Sequence, residues 1–398
     1  MVIAICIRRS GVIPWSVWSM GAGIRPEPYP SCQVLPCRRR TSRRGSRKCS
    51  LSTRVTARNP RSNPMLQTLA PLTGLLALAA FALPGSVSAQ ATPTSVSLKA
   101  GSEFRDCADC PAMVVIPPGR FDMGFDGGEE GRYEGPVRNI TINYAYAVGK
   151  YEVSNAEYRR FINETGHVSA RDCNLLRDGT YRAEPGTNWQ DPGYQRPIRE
   201  TEPVVCISWN DAKAFVAWLA RRTGQPYRLL TEAEWEYVGR GNRGGHRFVW
   251  GERPAEACRE SNVFDESAKR ARPDRRIDAA PCDDGYPEVA PVGSLAANPF
   301  GVHDILGNVW EWVEDCYVMP LPPSAPRDGS AQLAEGCDRR GSRGGSWLSS
   351  FSRQTPTFRG RDPATLVSQI FGLRVARDLN ASRPTTSTTP RARVPASK

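Results

Sequence analysis

The sequence predicts an α+β domain with little regular secondary structure, held together by disulfides. Three observations carry this expectation. The first half mixes capped helical segments with short apolar strands, while the second half shows no helical periodicity. Glycine and proline number 35 and 34 in 398 residues, so turns occupy much of the chain. Eight cysteines lie between residues 107 and 337, an even number that suits pairing in an exported protein.

The elements follow in order. Cys107-Ala-Asp-Cys110 opens the domain. Such a pair can serve redox or metal chemistry, but no strand is evident before it and no second pair follows at zinc-ribbon spacing. A disulfide that ties down the N-terminal end is the expectation. Met113 to Met123 reads as strand, Pro-Pro-Gly turn and strand, and Val137 to Val148 as a strand with partial alternation. Ser154 and Glu157 form a capping box ahead of Tyr158, Phe161 and Ile162, and Gly166 ends that helix. Residues 167–201 are polar and rich in Gly and Pro, which predicts a long surface loop. Ser208 or Asn210 caps a second helix with Ala212, Phe215, Val216 and Leu219 inward, and Thr231 with Glu234 starts a short third one through Tyr237. Beyond it, strands are short and loops dominate.

The formal net charge of +12 belongs to the leader. Residues 1–64 hold thirteen Lys/Arg and one acid, and the rest of the chain balances at forty of each. The charge is therefore no argument for nucleic acid or an anionic membrane. Residues 1–64 read as sequence upstream of the true start or a disordered basic leader, a genuine basic arm being the alternative. Residues 65–89 carry an apolar core, a Pro84-Gly85 breaker and the small-residue site Val87-Ser88-Ala89, which predicts a signal peptide cut after Ala89. The apolar run is too short for a membrane span. A linker over 90–104, a domain over 105–379 and a disordered tail over 380–398 complete the expected organisation, with a periplasmic or secreted location.

The most informative stretch is Asn298 to Asp315, which contains Gly307-Asn308-Val309-Trp310-Glu311-Trp312. Asp304, Asn308 and Glu311 put oxygen donors around a glycine turn, the kind of cage calcium prefers. The same residues equally suit a solvated acidic turn beside a buried tryptophan. In an extended segment Trp310 and Trp312 share one face and Glu311 points the other way.

This run is similar to the signature of the formylglycine-generating enzyme, or sulfatase-modifying factor, family. Six further stretches resemble that family in order: Met113 to Gly124, Lys150 to Tyr158, Pro203 to Ala212, Tyr227 to Tyr237, Arg343-Gly-Gly-Ser-Trp347 and Phe371 to Ala376. The resemblance runs from Cys107 to Asp378 and implies the family's complex C-type-lectin-like fold. It implies two structural calcium sites: Asn262, Val263, Asp284 and Tyr286 for one, Asp304, Gly307, Val309 and Glu311 for the other. A basic insertion, Lys269 to Arg276, interrupts the first set. Together with the wish to close loops, family-like placement implies the pairs Cys107–Cys110, Cys173–Cys206, Cys258–Cys282 and Cys316–Cys337.

The resemblance also implies a groove lined by Trp310, Ser346 and Trp347. In the family's active oxidases two cysteines follow the Gly-Gly-Ser-aromatic motif and bind copper(I). Counting on from Ser346, those positions hold Ser349 and Gln354, and no cysteine follows Cys337. A hydroxyl and a carboxamide are poor ligands for a soft ion, so no copper is expected. His167, His246 and His303 show no metal-binding spacing, and no Gly-x-Ser-x-Gly elbow occurs. The expectation is a monomeric, non-oxidase binding or accessory module for a peptide or small molecule. The alternatives are an enzyme of other chemistry, as in periplasmic relatives that mature a siderophore and also lack the cysteine pair, or a formylglycine-generating oxidase.

Overall fold

The computed structural model describes residues 4–6, 32–34, 99–244 and 246–379. The signal segment and tail, and almost all of the leader, lie outside them. The chain divides into two units, 1–90 and 91–398. In the first, strands Ala4–Cys6 and Cys32–Val34 pair antiparallel. The rest concerns the second.

Two sheets organise the domain. The five-stranded sheet runs Tyr227–Leu229, Val375–Asp378, Tyr146–Gly149, Met113–Ile116, Glu103–Phe104, all antiparallel. Its central strands read as continuous apolar runs because both faces are covered. Met113, Ala147, Leu229 and Val375 face one core, and Val114, Val148, Leu230 and Ala376 face another. The period of two along each strand divides alternate residues between them. The four-stranded sheet runs Gly360–Pro363, Arg339–Arg343, Trp310–Cys316, Phe371–Leu373, the last strand parallel to its neighbour.

Three helices pack on these sheets as their sequence signals predict. Helix α1, Asn155–Thr165, and helix α2, Trp209–Thr223, each carry a full capping box, from Ser154 with Glu157 and from Ser208 with Asp211. Left-handed Gly166 and Gly224 end them. Tyr158 stacks on Phe215 with ring centroids 6.0 Å apart, and Phe161 meets Trp218 at 5.6 Å. Helix α3, Glu232–Arg240, starts at Thr231 as expected but runs three residues past Tyr237. A short helix α4, Glu266–Ala271, was not foreseen and runs into the start of the basic insertion.

Other expectations change. The two strands flanking Pro117-Pro118 do not pair with each other. Met113–Ile116 pairs with Tyr146–Gly149, and Gly119–Met123 with Arg138–Ile142. The Val137–Val148 segment is accordingly two strands in separate sheets. A two-residue strand, Glu103–Phe104, does precede Cys107. Residues 167–201 are not simply a surface loop: they hold the hairpin Asn174–Arg177/Thr180–Ala183, and Leu175, Leu176 and Trp189 enter the core. Apolar residues spaced irregularly among polar ones give no period to read, so only the fold reveals that they are inside.

The four disulfides are those expected: Cys107–Cys110, Cys173–Cys206, Cys258–Cys282 and Cys316–Cys337, with Cα separations of 5.0, 5.5, 6.0 and 5.8 Å. The last three close loops of 21 to 33 residues in regions poor in regular structure. Each closure of that size contributes roughly 3 kcal/mol by limiting the unfolded chain.

Arg374 sits between Phe371–Leu373 of one sheet and Val375–Asp378 of the other, so the chain changes sheets at this residue. It is fully buried. Its Nε donates to Glu311 Oε1 at 2.8 Å, and its two terminal nitrogens donate to the carbonyls of Gly149 and His303, each at 2.9 Å. Trp235 Nε1 donates to the other oxygen of Glu311 at 2.7 Å. Arg374→Met should cost about 3–5 kcal/mol, because it leaves a buried carboxylate without its cation. Denaturant unfolding with the disulfides intact checks this, and an unchanged midpoint would refute it.

Candidate functional site

The two strongest sequence motifs meet in space. The turn Gly307-Asn308 and the turn Gly344-Gly345-Ser346-Trp347 are joined by Gly307 N–H to Gly344 O at 2.9 Å and by Trp347 N–H to Asn308 O at 3.0 Å. Gly307 has φ +84°, and a Cβ there would lie 2.3 Å from Asn262 O. Gly345 has φ +77°, and its Cβ would lie 2.2 Å from Gln354 Oε1. Both have a left-handed backbone, and at Gly307 the fixed Asn262 backbone also leaves no room for a side chain.

Asn308 is the hub. Its Nδ2 donates to Glu152 Oε2 at 2.6 Å, and its Oδ1 accepts from Ala290 N–H at 2.9 Å and from Asn262 Nδ2 at 3.3 Å. Val309 N–H donates to Glu152 Oε1 at 3.1 Å. The reading of this run as a solvated acidic turn does not hold, since Asp304, Asn308 and Glu311 are all at most 1% exposed. Trp310 and Trp312 do share a face, each packing on Phe371, and Glu311 points away toward Arg374.

Buried carboxylates cluster here. Burial pushes Glu152 well above the ordinary carboxyl range, and the charges of Asp304 and Glu311 push it further. Burial raises Asp304 and Glu311 as well, against the pull of Arg374. Asp304 Oδ2 accepts from Gly293 N–H at 2.6 Å, while its Oδ1 has no hydrogen-bond partner among the described residues. Glu311 differs, since both its oxygens are engaged, by Arg374 and Trp235.

The first implied calcium set shows the same sign of an incomplete shell. Asn262 Oδ1 and Asp284 Oδ2 are buried without hydrogen-bond partners among the described residues. Asn262 Nδ2 donates to Glu288 O at 2.8 Å, and Asp284 N–H donates to Asp265 Oδ2 at 2.7 Å. These contacts and the Cys258–Cys282 disulfide bring residues 262–265 and 282–288 together. Tyr286 N–H donates to Asp284 Oδ1 at 2.7 Å, and Val263 is fully buried beside Asn262. Burial raises Asp284 to about 7, and the Asp265 charge adds to the rise. Two orphaned oxygens in this set and one, from Asp304, in the other are donors of the kind that suit a hard, oxygen-seeking cation. The basic insertion does not occupy this set. It begins in the last turn of helix α4, which Asp265 caps, and Arg270 pairs outward with Asp283 at 2.6 Å.

Glu152 and Asp265 were missed as site residues. Glu152 lies in the Lys150–Tyr158 motif, so its position was flagged without its role. Asp265 had no signal beyond a polar residue preceding a possible helix.

Ser346, Trp347 and Gln354 are fully buried, and Trp310 and Ser349 are 7% and 8% exposed. Ser346 Oγ and Ser349 Oγ are 3.0 Å apart, and Gln354 Nε2 donates to Ser346 O at 2.9 Å. The two positions where the resemblance implies cysteines thus both converge on Ser346. Gln354 Oε1 has no partner among the described residues. Arg275 of the insertion donates from Nε to Leu348 O at 3.2 Å, so the insertion braces this loop. Among the described residues no group of three metal-capable side chains includes a histidine.

Comparison with known proteins gives the family. Residues 99–379 match the sulfatase-modifying factor enzyme 1-like domain, and the chain belongs to that family. A formylglycine-generating enzyme of Thermomonospora curvata is 30% identical over 262 residues, 56% of this chain and 81% of that protein. An inactive C-alpha-formylglycine-generating enzyme 2 of Mus musculus is 30% identical over 306 residues, 70% of this chain and 88% of that protein. The structure of PvdO from Pseudomonas aeruginosa superposes with a TM-score of 0.59 at 33% identity, covering 71% of this chain and all of that one.

Restoring thiols tests whether this loop keeps the family's frame. Ser349→Cys with Gln354→Cys should capture copper(I) strongly, because two thiolates suit a soft ion. Competition against a chelating dye measures it, and negligible affinity in both the variant and the wild type would defeat the expectation.

Proposed function

We propose that this chain is an exported, non-oxidase member of the family, a binding or accessory module that holds a peptide or small molecule beside Trp310, Ser346 and Trp347. One observation carries the reading. Ser349 and Gln354 stand where an oxidase of the family needs thiolates, and both are engaged with Ser346 through a hydroxyl contact of 3.0 Å and a hydrogen bond of 2.9 Å. A hydroxyl and a carboxamide supply no soft donor and no sulfur for a mixed disulfide, so copper has no role here. Four disulfides favour an oxidising compartment, and no helix among the described residues is long and apolar enough to cross a membrane.

A second reading, an enzyme of other chemistry on this scaffold such as siderophore maturation, draws on a different feature. The Ser346–Ser349 hydroxyl pair is buried in the same loop as Gln354, whose carbonyl oxygen has no hydrogen-bond partner among the described residues, polar groups that a reactant could complete. Incubating the protein with a Cys-x-Pro-x-Arg peptide, copper and oxygen should leave the peptide cysteine unchanged by mass spectrometry. Appearance of the aldehyde would overturn the non-oxidase reading.

Calcium fits the same picture as a structural ion. It would be held by Asn262, Val263, Asp284 and Tyr286 at one site and by Asp304, Gly307 and Val309 at the other, with Glu311 shared between the ion and Arg374. An ion that binds only the native state stabilises it in proportion to the logarithm of its concentration. Thermal unfolding should therefore occur several degrees lower in excess EDTA than in millimolar calcium. Identical curves in both conditions would remove calcium from the account.

A further inference from the structure

The motif Cys107-Ala108-Asp109-Cys110 takes no part in the site described above, and its disulfide is one of several bonds that hold it. Asp106 accepts from Tyr227 Oη at 2.6 Å and pairs with Arg377 Nε at 3.0 Å, which ties the loop to two strands of the five-stranded sheet. Asp109 pairs with Arg160 of helix α1 and Arg222 of helix α2, at 2.8 and 2.9 Å. Its carbonyl also accepts from Arg160 Nη1 at 2.8 Å. Arg105 Nη1 donates to the carbonyl of Cys110, and Cys110 N–H closes the turn on Cys107 O at 3.2 Å. Side chains from two helices and two strands thus fix these residues independently of the sulfur–sulfur bond.

The other disulfides of the domain are placed differently. Cys173 and Cys206 are fully buried. Cys258–Cys282 and Cys316–Cys337 span 24 and 21 positions, so breaking either frees a long loop. Cys107–Cys110 spans 3, and its closure constrains the unfolded chain least. Its two sulfurs differ in access. Cys110 is a core residue, 1% exposed, whereas Cys107 is only partly buried against that core. An incoming thiolate therefore meets Cys107, and Cys110 is the leaving group. Asp109 Oδ1 stands 3.0 Å from Cys107 Sγ. Desolvation works to raise the Asp109 carboxyl, but the Arg160 and Arg222 guanidinium groups outweigh it and hold the carboxyl below its ordinary range. In the dithiol state this carboxylate is in reach of the Cys107 S–H, a charge-assisted hydrogen bond that the disulfide cannot make. A bond gained only on reduction favours the reduced form, and such a couple takes up electrons more readily.

We propose that Cys107–Cys110 is a thiol–disulfide exchange site that takes two electrons from the dithiol of a partner protein. The site is separate from the groove at Trp310 and Ser346 and does not depend on how that groove is read. A thiolate of the partner attacks Cys107 Sγ, the Cys107–Cys110 bond breaks, and Cys110 leaves as a thiolate. The partner's second thiol, once deprotonated, attacks its own sulfur in the mixed disulfide and releases Cys107 as a thiolate. The two protons lost by the partner's thiols end on Cys110 and on Cys107, whose S–H donates to Asp109. The partner is left with a disulfide and the domain with two thiols, so electrons and protons balance without a further oxidant or reductant. The ion pairs of Asp106 and Asp109 keep the loop in place in both states.

The test mixes the full oxidised chain with reduced thioredoxin as the protein dithiol, without oxygen, then alkylates free thiols and maps the peptides. Cys107 and Cys110 should be alkylated together while thioredoxin becomes paired. The six other cysteines of the domain should stay paired, and thermal unfolding should remain close to that of the oxidised chain. No exchange, earlier exchange at another disulfide of the domain, or unfolding once this pair is reduced would each overturn the proposal. Single variants test which sulfur is attacked. In Cys110→Ser the Cys107 thiol should capture oxidised glutathione roughly tenfold or more faster than the Cys110 thiol does in Cys107→Ser, because burial restricts the second. Equal rates at the two mapped peptides would overturn the roles given to the two sulfurs. Thermal unfolding shows whether each variant is folded, and the wild-type exchange decides the proposal if either is not. The aldehyde assay of the non-oxidase reading concerns Ser349 and Gln354, so failure of one result leaves the other standing.

Discussion

The buried pair of Arg374 and Glu311 is the contact on which the architecture turns. Arg374 marks the point where the chain leaves one sheet for the other, and its guanidinium reaches a carboxylate of the first sheet and the Gly149 carbonyl of the second. Trp235 of helix α3 completes the carboxylate. A hydrophobic residue at this position could fill space but could not fix the register of three elements at once. Planar, directional donors can, and the desolvation they cost is offset only when nearly every donor and acceptor finds its partner.

The same device recurs around helix α3. Glu232, Glu234 and Glu236 are buried and meet Arg343 and Arg359, Arg228, and Arg240 and Arg343 respectively. A domain with short strands and long connections has few extended contacts with which to specify one arrangement. Buried ion pairs and four disulfides supply fixed points between segments that share no regular structure. The cores on either face of the five-stranded sheet supply the bulk of apolar burial, and the polar network determines how the loops sit upon them.

The candidate site inherits this rigidity. Two glycine turns are hydrogen-bonded to each other, and Asn308 links one of them to Glu152, Asn262 and Ala290. Ser349 and Gln354 both bond back to Ser346 within the loop.

The sequence by itself determined what local chemistry and motif order determine. The capping boxes at Ser154, Ser208 and Thr231 and the glycines after α1 and α2 set three helices, because those signals act within one turn. The order of motifs set the family, and the cysteine count with family-like placement set the disulfides. The absence of cysteine after Cys337 was plain from composition. Tertiary structure alone decided that the strands on either side of Pro117-Pro118 part into different sheets, that Trp189 is buried, and that the acidic turn is dry. It also decided the roles of Glu152 and Asp265. These are pairings between residues up to hundreds of positions apart. No local period or spacing encodes them, because what selects each partner is the packing of the whole chain.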